Sequence, residues 1–262
     1  MTILATERLS IAFGGVLAVD EVTLTVPQGL VFSIIGPNGA GKTTLFNLIS
    51  GLYVPHNGSV RLADDDVTGF APEQLARRGL SRTFQNLQIF FRLTAIENVM
   101  VGRHRHERTG ILADLFHLPR VERQNRATRA EALAALDRVG LADIADRSAG
   151  SLAYGDLKRL EIARALASEP KVLLLDEPAA GCNPVETSEL EVIIRSIAEE
   201  GVTIVLVEHD MRLVMNISDR VHVLQSGRTL TEGTPAEVRS NPAVIEAYLG
   251  VHGTQEAGRA FD

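Results

Sequence analysis

A single cysteine, Cys182, is all the thiol chemistry the chain has. One thiol cannot close an internal disulfide, which excludes the disulfide-stapled secreted classes and fits a reducing cytosol. Cys182 itself reads as a small buried side chain. Long hydrophobic runs are missing too: no apolar stretch approaches the ~20 residues that span a bilayer. The segment Met1–Glu7 has no basic part followed by an apolar one, so it does not read as a secretory leader. The chain is expected to stay in the cytosol, with any membrane role exercised through a partner. Positive charge is also in short supply. Lys and Arg number 26 against 33 Asp and Glu, a formal net charge of −7, which argues against nucleic-acid binding as the main business. No internal repeat and no low-complexity segment breaks the sequence.

What is present starts with size. At 262 residues, 45% hydrophobic and 23% charged, the chain suits one large soluble domain, or one domain with an inserted subdomain. Its centre of gravity is Gly36-Pro37-Asn38-Gly39-Ala40-Gly41-Lys42-Thr43-Thr44. The β-branched run Val31–Ile35 precedes it and a helical pattern from Lys42 to Gly51 follows. Strand, glycine-rich loop and helix start, in that order, are what a phosphate-binding loop requires. The glycines let the backbone curl into a nest of inward N–H groups, and the helix adds its positive N-terminal end. Lys42 would reach the β- and γ-phosphates and the Thr43 hydroxyl would help hold Mg²⁺.

Upstream, residues 1–35 read as short strands, with Val22–Val26 alternating and Pro27-Gln28-Gly29 turning into the Val31 strand. Phe13, in a glycine-flanked turn, could stack on a base or pack in the core. Downstream, Pro55–Gly58 turns into the strand Ser59–Leu62, and Asp64-Asp65-Asp66 reads as a solvated turn rather than a metal site. Pro72–Gly79 is a short helix, opened by proline and closed by glycine. From about Asn86 to Ala163 helical periodicity takes over. Thr94 and Glu97 form a capping-box pattern, and Ala132, Leu133, Ala135, Leu136 and Val139 share an apolar face closed by Gly140. The basic run Arg103–Arg108 reads as a solvated loop. Strand patterns return at Lys171–Leu175, Val202–Val207 and Val221–Leu224, with a helix over 184–200 between the first two. Gln225–Arg228 is a hairpin turn, and a helical tail runs from Pro235 to Leu249.

Three further pieces complete a constellation. Asp176-Glu177 ends a buried strand, where the aspartate would hold Mg²⁺ and the glutamate could polarise the attacking water. His209 follows another apolar strand and could hydrogen-bond the γ-phosphate. Gln85 stands at the join between the strand-rich and helical parts, placed to contact Mg²⁺ or water and a moving subdomain.

In this order the pieces resemble the nucleotide-binding subunit of ATP-binding-cassette transporters, over nearly the whole chain. Gly36–Thr43 matches the family's Walker A, Asp176 the Walker B aspartate, Glu177 the catalytic glutamate, Gln85 the Q-loop and His209 the switch histidine. Phe13 falls at the adenine-stacking position, and Leu152-Ala153-Tyr154-Gly155-Asp156 at the signature motif. The resemblance implies an α/β fold: a P-loop NTPase (RecA-like) core, an N-terminal antiparallel β subdomain and an inserted α-helical subdomain at about 86–163. A single cassette would cover residues 1–235 and a helical tail 236–262. It implies ATP and Mg²⁺ as ligands, the metal held by Thr43, Gln85 and Asp176. Ala153, Tyr154 and Gly155 would act in trans on ATP held by a second ATPase subunit, identical or a paralogue. Other implied partners are integral membrane permease subunits and, indirectly, a periplasmic substrate-binding protein, with the chain peripheral on the cytoplasmic face of the inner (plasma) membrane.

The segments Asp176–Pro184, Glu208–Met215 and Glu246–Gly250 narrow the resemblance to branched-chain amino acid importers. Urea-type importers and the lipopolysaccharide export system are neighbouring alternatives, and a soluble non-transport cassette protein is the alternative of another class. Three positions depart from the family pattern: Ala153 replaces the signature serine, Asp156 the glutamine and Asn183 the D-loop aspartate. The expectation is a working site rather than a dead one.

Overall fold

The computed structural model describes residues 1–103 and 119–252, which divide into two units, Met1–Arg82 with Lys171 onward, and Thr83–Pro170. The insert expected at about 86–163 thus compares with a unit bounded at 83 and 170. Of the tail expected at 236–262, residues 236–252 are described, and they fall in the first unit.

The first unit holds two sheets. Strands β1 (Thr2–Phe13), β2 (Val16–Pro27), β4 (Asn57–Leu62) and β5 (Asp65–Asp66) form an antiparallel sheet in the order β2-β1-β4-β5. The short strands expected at the N-terminus are in fact two strands of twelve residues each. Register shifts interrupt their pairing, and Arg8 and Glu21 take left-handed φ values of 45° and 51°. Such bulges break the alternation by which a long strand shows itself in sequence. Asp65 and Asp66 are exposed on the short edge strand, and no group of three or more potential metal-binding side chains occurs among the described residues.

The second sheet has the order β10-β9-β3-β8-β7-β6, from β3 (Val31–Ile35), β6 (Leu80–Arg82), β7 (Val172–Asp176), β8 (Thr203–Val207), β9 (Arg220–Gln225) and β10 (Arg228–Gly233). All neighbours in it are parallel except the β9–β10 hairpin. β3, β7 and β8 are buried along their whole length, as continuous apolar runs in a covered parallel sheet should be. Helix α1 (Lys42–Ile49) buries Leu45, Phe46 and Ile49 in one cluster with Leu4, Leu9 and Leu24 of the first sheet and Phe32, Leu174 and Val205 of the second. Both sheets therefore share a core through the helix that leaves the glycine-rich loop. Helix α2 (Pro72–Arg77) precedes β6, α6 (Pro184–Glu199) links β7 to β8, and α7 (Met211–Ile217) links β8 to β9. Two C-terminal helices, α8 (Pro235–Arg239) and α9 (Pro242–His252), bury Val238 and Val244 in a second cluster with Ile35, Met211 and Val223.

The other unit is built from α3 (Ala95–Gly102), α4 (Pro119–Asp137) and α5 (Tyr154–Leu166). The capping box is present: the Thr94 hydroxyl accepts from the Glu97 N–H and the Glu97 carboxylate accepts from the Thr94 N–H. On α4 the buried stripe is Ala132, Ala135 and Leu136, continued by Val139, while Leu133 is 42% exposed. One residue past Ala132 is a 100° rotation, which carries Leu133 off the stripe. Of the basic run, Arg103 donates to the Ala167 carbonyl at 3.3 Å and to Glu169 at 2.9 Å; residues 104–108 lie outside the described residues. No helix among the described residues is long and apolar enough to cross a membrane.

Candidate functional site

In the order β9-β3-β8-β7, three neighbouring parallel strands deliver the site from their carboxyl ends. β3 runs into Gly36–Thr44, β7 into Asp176-Glu177 and β8 into Glu208-His209. Residues distant in sequence meet because parallel register places the ends of these strands side by side, Asp176 opposite Val207.

Asn38 through Thr44 line a cleft of about 520 Å³, whose other walls are Val16, Leu17, Ala18, Glu177, Ser226 and Gly227. Glycine is obligatory at two points of this loop. A Cβ on Gly36 would stand 2.2 Å from the Leu224 carbonyl oxygen, and one on Gly41 2.4 Å from that of Ala18. Gly41 also takes φ +98°, leading into α1. The Gly227 N–H donates to the Ala40 carbonyl at 2.9 Å, so the β9–β10 turn holds the loop from outside.

Lys42 is buried, and its ammonium donates to the carbonyls of Gly36 at 2.6 Å and Pro37 at 3.1 Å. Burial lowers its pKa, and the charge of Glu177 opposes that shift. Thr43 is exposed at the start of α1, within the cleft.

Glu177 has φ 48°, a left-handed conformation that costs a non-glycine residue about 1–2 kcal/mol. Its N–H donates to the Val207 carbonyl at 2.9 Å, and the bend directs its side chain into the cleft. His209 is 62% exposed, its Nδ1 3.7 Å from Oε2 of Glu177 and 3.7 Å from Oε2 of Glu208. Glu208 is buried and accepts backbone N–H bonds from Ala179, His209 and Asp210. Burial raises its pKa against those bonds. Its carboxylate thus ties the turn after β7 to the turn after β8.

Asp176 is almost fully buried, and Oδ2 accepts from Nη2 of Arg82 at 2.6 Å. Nη1 of Arg82 reaches Asn47 Oδ1 and Ser50 Oγ, each at 2.7 Å, at the far end of α1. Neither Arg82 nor its three-residue strand was among the sequence expectations. A short edge strand has no alternation to read, and its partner lies 94 residues away.

Other expected positions are placed as follows. Phe13 sits at the β1–β2 hairpin tip, 46% exposed, its ring edge-on to Tyr53 with centroids 5.3 Å apart. The core alternative for Phe13 is thereby removed, and the cleft wall nearest that hairpin comes from Val16, Leu17 and Ala18. Cys182 is half-buried rather than buried. On the helical unit, Gln85 is exposed in a segment bracketed by the Phe84 and Gln88 N–H groups, which approach buried Glu161 at 3.5 and 3.4 Å. Ala153 is the N-cap of α5, without a side-chain cap, followed by exposed Tyr154 and buried Gly155. Asp156 pairs with Arg159 in the first turn of that helix. Asn183 caps α6, accepting from the N–H groups of Val185 and Glu186.

The family model described as ABC transporter matches residues 19–180, from β2 through the turn after Glu177. The chain belongs to the ABC transporter family. It is an ATP-binding-cassette ATPase with an α/β P-loop fold. A second model, described as branched-chain amino acid ATP-binding cassette transporter, matches residues 228–254, which run from β10 through α8 and α9. The chain is 49% identical over 249 residues to the high-affinity branched-chain amino acid transport ATP-binding protein BraF of Pseudomonas aeruginosa, covering 95% of this chain and 98% of that one. To the corresponding protein LivG of Escherichia coli strain K12 it is 46% identical, with the same coverage. Among solved structures, a nucleotide-free ATP-binding cassette from an ABC transporter superposes with a TM-score of 0.83 at 33% identity, covering 95% of this chain and 99% of that one.

Proposed function

We propose that this cassette ATPase hydrolyses ATP to drive import of branched-chain amino acids through membrane-embedded permease subunits, a second ATPase subunit completing the site. The observation that carries the chemistry is the convergence of Lys42, Thr43 and Glu177 on one cleft, with His209 beside Glu177. The substrate class rests on the near full-length identity to BraF and LivG, because the ATPase itself does not touch the transported molecule.

The backbone nest and Lys42 bind and orient the phosphates. Glu177 takes a proton from the attacking water as its oxygen bonds to the γ-phosphorus and the bond to ADP breaks. His209, exposed and 3.7 Å from Glu177, donates a hydrogen bond to the γ-phosphate and registers its presence. Mg²⁺ fits the donors of the first unit: the Thr43 hydroxyl and the Asp176 carboxylate are hard oxygen ligands that would hold it, and sites of this kind pair few carboxylates with substrate phosphates. When bound it would supply charge neutralisation for the phosphates. The start of α5, with Ala153 and Tyr154 exposed and Gly155 buried behind them, would offer N–H groups to ATP held by the opposite subunit. Phe13 and the adjoining β1–β2 hairpin residues would receive the adenine in this reading. The periplasmic binding protein that would deliver substrate, and the peripheral position on the inner face of the membrane, follow from the importer reading.

The test is reconstitution with the permease subunits in vesicles, measuring ATP turnover and uptake of labelled leucine. Glu177→Gln is expected to keep ATP binding and lose turnover. Normal turnover in that variant would remove Glu177 from its role, and ATP turnover without leucine uptake would overturn the substrate.

A further inference from the structure

The β9–β10 hairpin turns through Ser226 and Gly227, whose φ values of 50° and 80° both lie in the left-handed region, as a two-residue type I′ turn requires. This turn sits between strand β2 and the phosphate loop and is bonded to both. Its Gly227 N–H donates to the Ala40 carbonyl at 2.9 Å, and the Gly227 carbonyl accepts from the Asp20 N–H at 2.8 Å. The fit is close. A Cβ on Gly227 would stand 2.9 Å from the Ala18 carbonyl oxygen, the same oxygen that excludes a Cβ on Gly41. Asp20 holds the turn a second time through its side chain, where Oδ2 accepts from Nε of Arg228 at 2.7 Å and from Nη2 at 2.6 Å. The Asp20 side chain is 14% exposed and that of Arg228 74%, so the pair is open to solvent on the arginine's side.

We propose that Asp20 and Arg228 are positioning residues for the nucleotide site: their ion pair fixes the Ser226-Gly227 turn, and the turn aims the Ala40–Gly41 peptide of the phosphate loop. A peptide group is planar and trans, so its carbonyl and its N–H point in opposite directions. With the Ala40 carbonyl held by Gly227, the Gly41 N–H is turned away from the hairpin and towards the phosphates. Gly41 needs that support. At φ +98° and without a side chain it has backbone freedom that no other residue type would have, and it is the last residue before α1. The same hairpin meets the loop at its start, where the Leu224 carbonyl of β9 stands against Gly36. The walls of the cleft include Ser226 and Gly227 but neither Asp20 nor Arg228, so the pair acts through the turn and not by touching the nucleotide.

This inference rests on the phosphate-site reading of Gly36–Thr44, and the experiment separates the two. Binding of a fluorescent ATP analogue with Mg²⁺ is measured on the full chain and on Arg228→Ala, Asp20→Asn, Arg220→Ala and Lys42→Ala, alongside thermal unfolding and amide hydrogen exchange. Arg220 is the control, because it pairs with Glu232 at 2.8 Å at the other end of the same hairpin, away from the turn. Arg228→Ala should lower nucleotide affinity roughly two- to fivefold, the span of a partly exposed ion pair, and Asp20→Asn should do the same. Exchange in the peptide spanning residues 36–44 should accelerate in both. Arg220→Ala should lose a similar amount of stability with affinity and loop exchange unchanged. Arg228→Lys, which keeps the charge, should recover most of the affinity. Unchanged affinity in Arg228→Ala, or an equal loss in Arg220→Ala, overturns the positioning role and leaves the pair as a surface contact of the hairpin. Failure of the parent chain to bind the analogue, or binding undiminished in Lys42→Ala, would instead overturn the phosphate-site reading, and the inference with it.

Discussion

Arg82 holds one end of a buried ion pair. Its side chain is 8% exposed and that of Asp176 6%, with Nη2 and Oδ2 2.6 Å apart. The other terminal nitrogen spans Asn47 and Ser50, and the guanidinium lies 5.4 Å from the Phe46 ring centroid. One side chain thereby joins the end of β7 to the end of α1, the helix whose beginning is the phosphate site. Arg82→Met keeps much of the volume and strands the carboxylate in the interior. Breaking a buried pair by removing one partner costs about 3–5 kcal/mol. For a chain of this size that corresponds to a fall of roughly 6–20 °C in unfolding temperature. Arg82→Lys should lie between, since one ammonium cannot span three acceptors in a planar fork. The informative variant is the double one, Arg82→Met with Asp176→Leu, in which no charge is left unpaired and most of the lost stability should return. Urea unfolding of the four proteins closes the cycle. A loss below about 1 kcal/mol in Arg82→Met, or a double variant as unstable as the single one, would refute the claim that the pair fails through its stranded carboxylate.

The strained backbone of Glu177 gives a prediction of opposite sign: Glu177→Gly should abolish turnover while stabilising the fold by about 1 kcal/mol, checked by unfolding and phosphate release. Equal or lower stability would mean that the φ of 48° carries no strain. At the β9–β10 hairpin, hydrogen bonding from buried His222 lowers the pKa of Glu232 below its ordinary 4.5, with Arg220 adding to the effect. A depressed carboxylate stabilises fully above its unfolded value and loses that contribution as pH falls through the folded one. Unfolding measured from pH 6 downward should therefore show a decline beginning near 4.5 that is shallower in Glu232→Gln. Ala153→Ser restores a hydroxyl at an N-cap that has no side-chain acceptor, and should raise stability by about 0.5–2 kcal/mol. If the same hydroxyl also serves ATP in trans, turnover in the reconstituted transporter should rise with it.

The site's backbone was legible because its signals are local. Three glycines in six residues, followed by Lys42-Thr43, specify a loop conformation whatever the rest of the chain does. Asp176-Glu177 and Glu208-His209 were legible because each follows an unbroken apolar run, and covered parallel strands have little other appearance. What escaped depends on distance or on broken periodicity. Arg82 belongs to Asp176 only once the sheet has formed. The two twelve-residue strands hid behind their bulges, and Leu133 hid behind its hydrophobicity, one step off the stripe its neighbours define.

Two of the three departures from the family pattern, Asn183 and Asp156, acquire local physical reasons that sequence comparison does not supply. Asn183 satisfies two orphan N–H groups of α6, and its own N–H is taken by Glu186, the reciprocal pattern of a capping box. Asparagine and aspartate cap about equally well, so this position tolerates either residue without cost to the helix. Asp156 stands in the first turn of α5, where the helix dipole favours a carboxylate, and Arg159 neutralises it. A bare carboxylate there would repel the γ-phosphate of an opposing subunit; one already paired with an arginine repels far less. Only Ala153 lacks a local compensation, since its N-cap position has no side-chain hydrogen bond. If this segment acts in trans as proposed, recognition would fall to the backbone N–H groups at the start of α5, with no hydroxyl from position 153 to strengthen it.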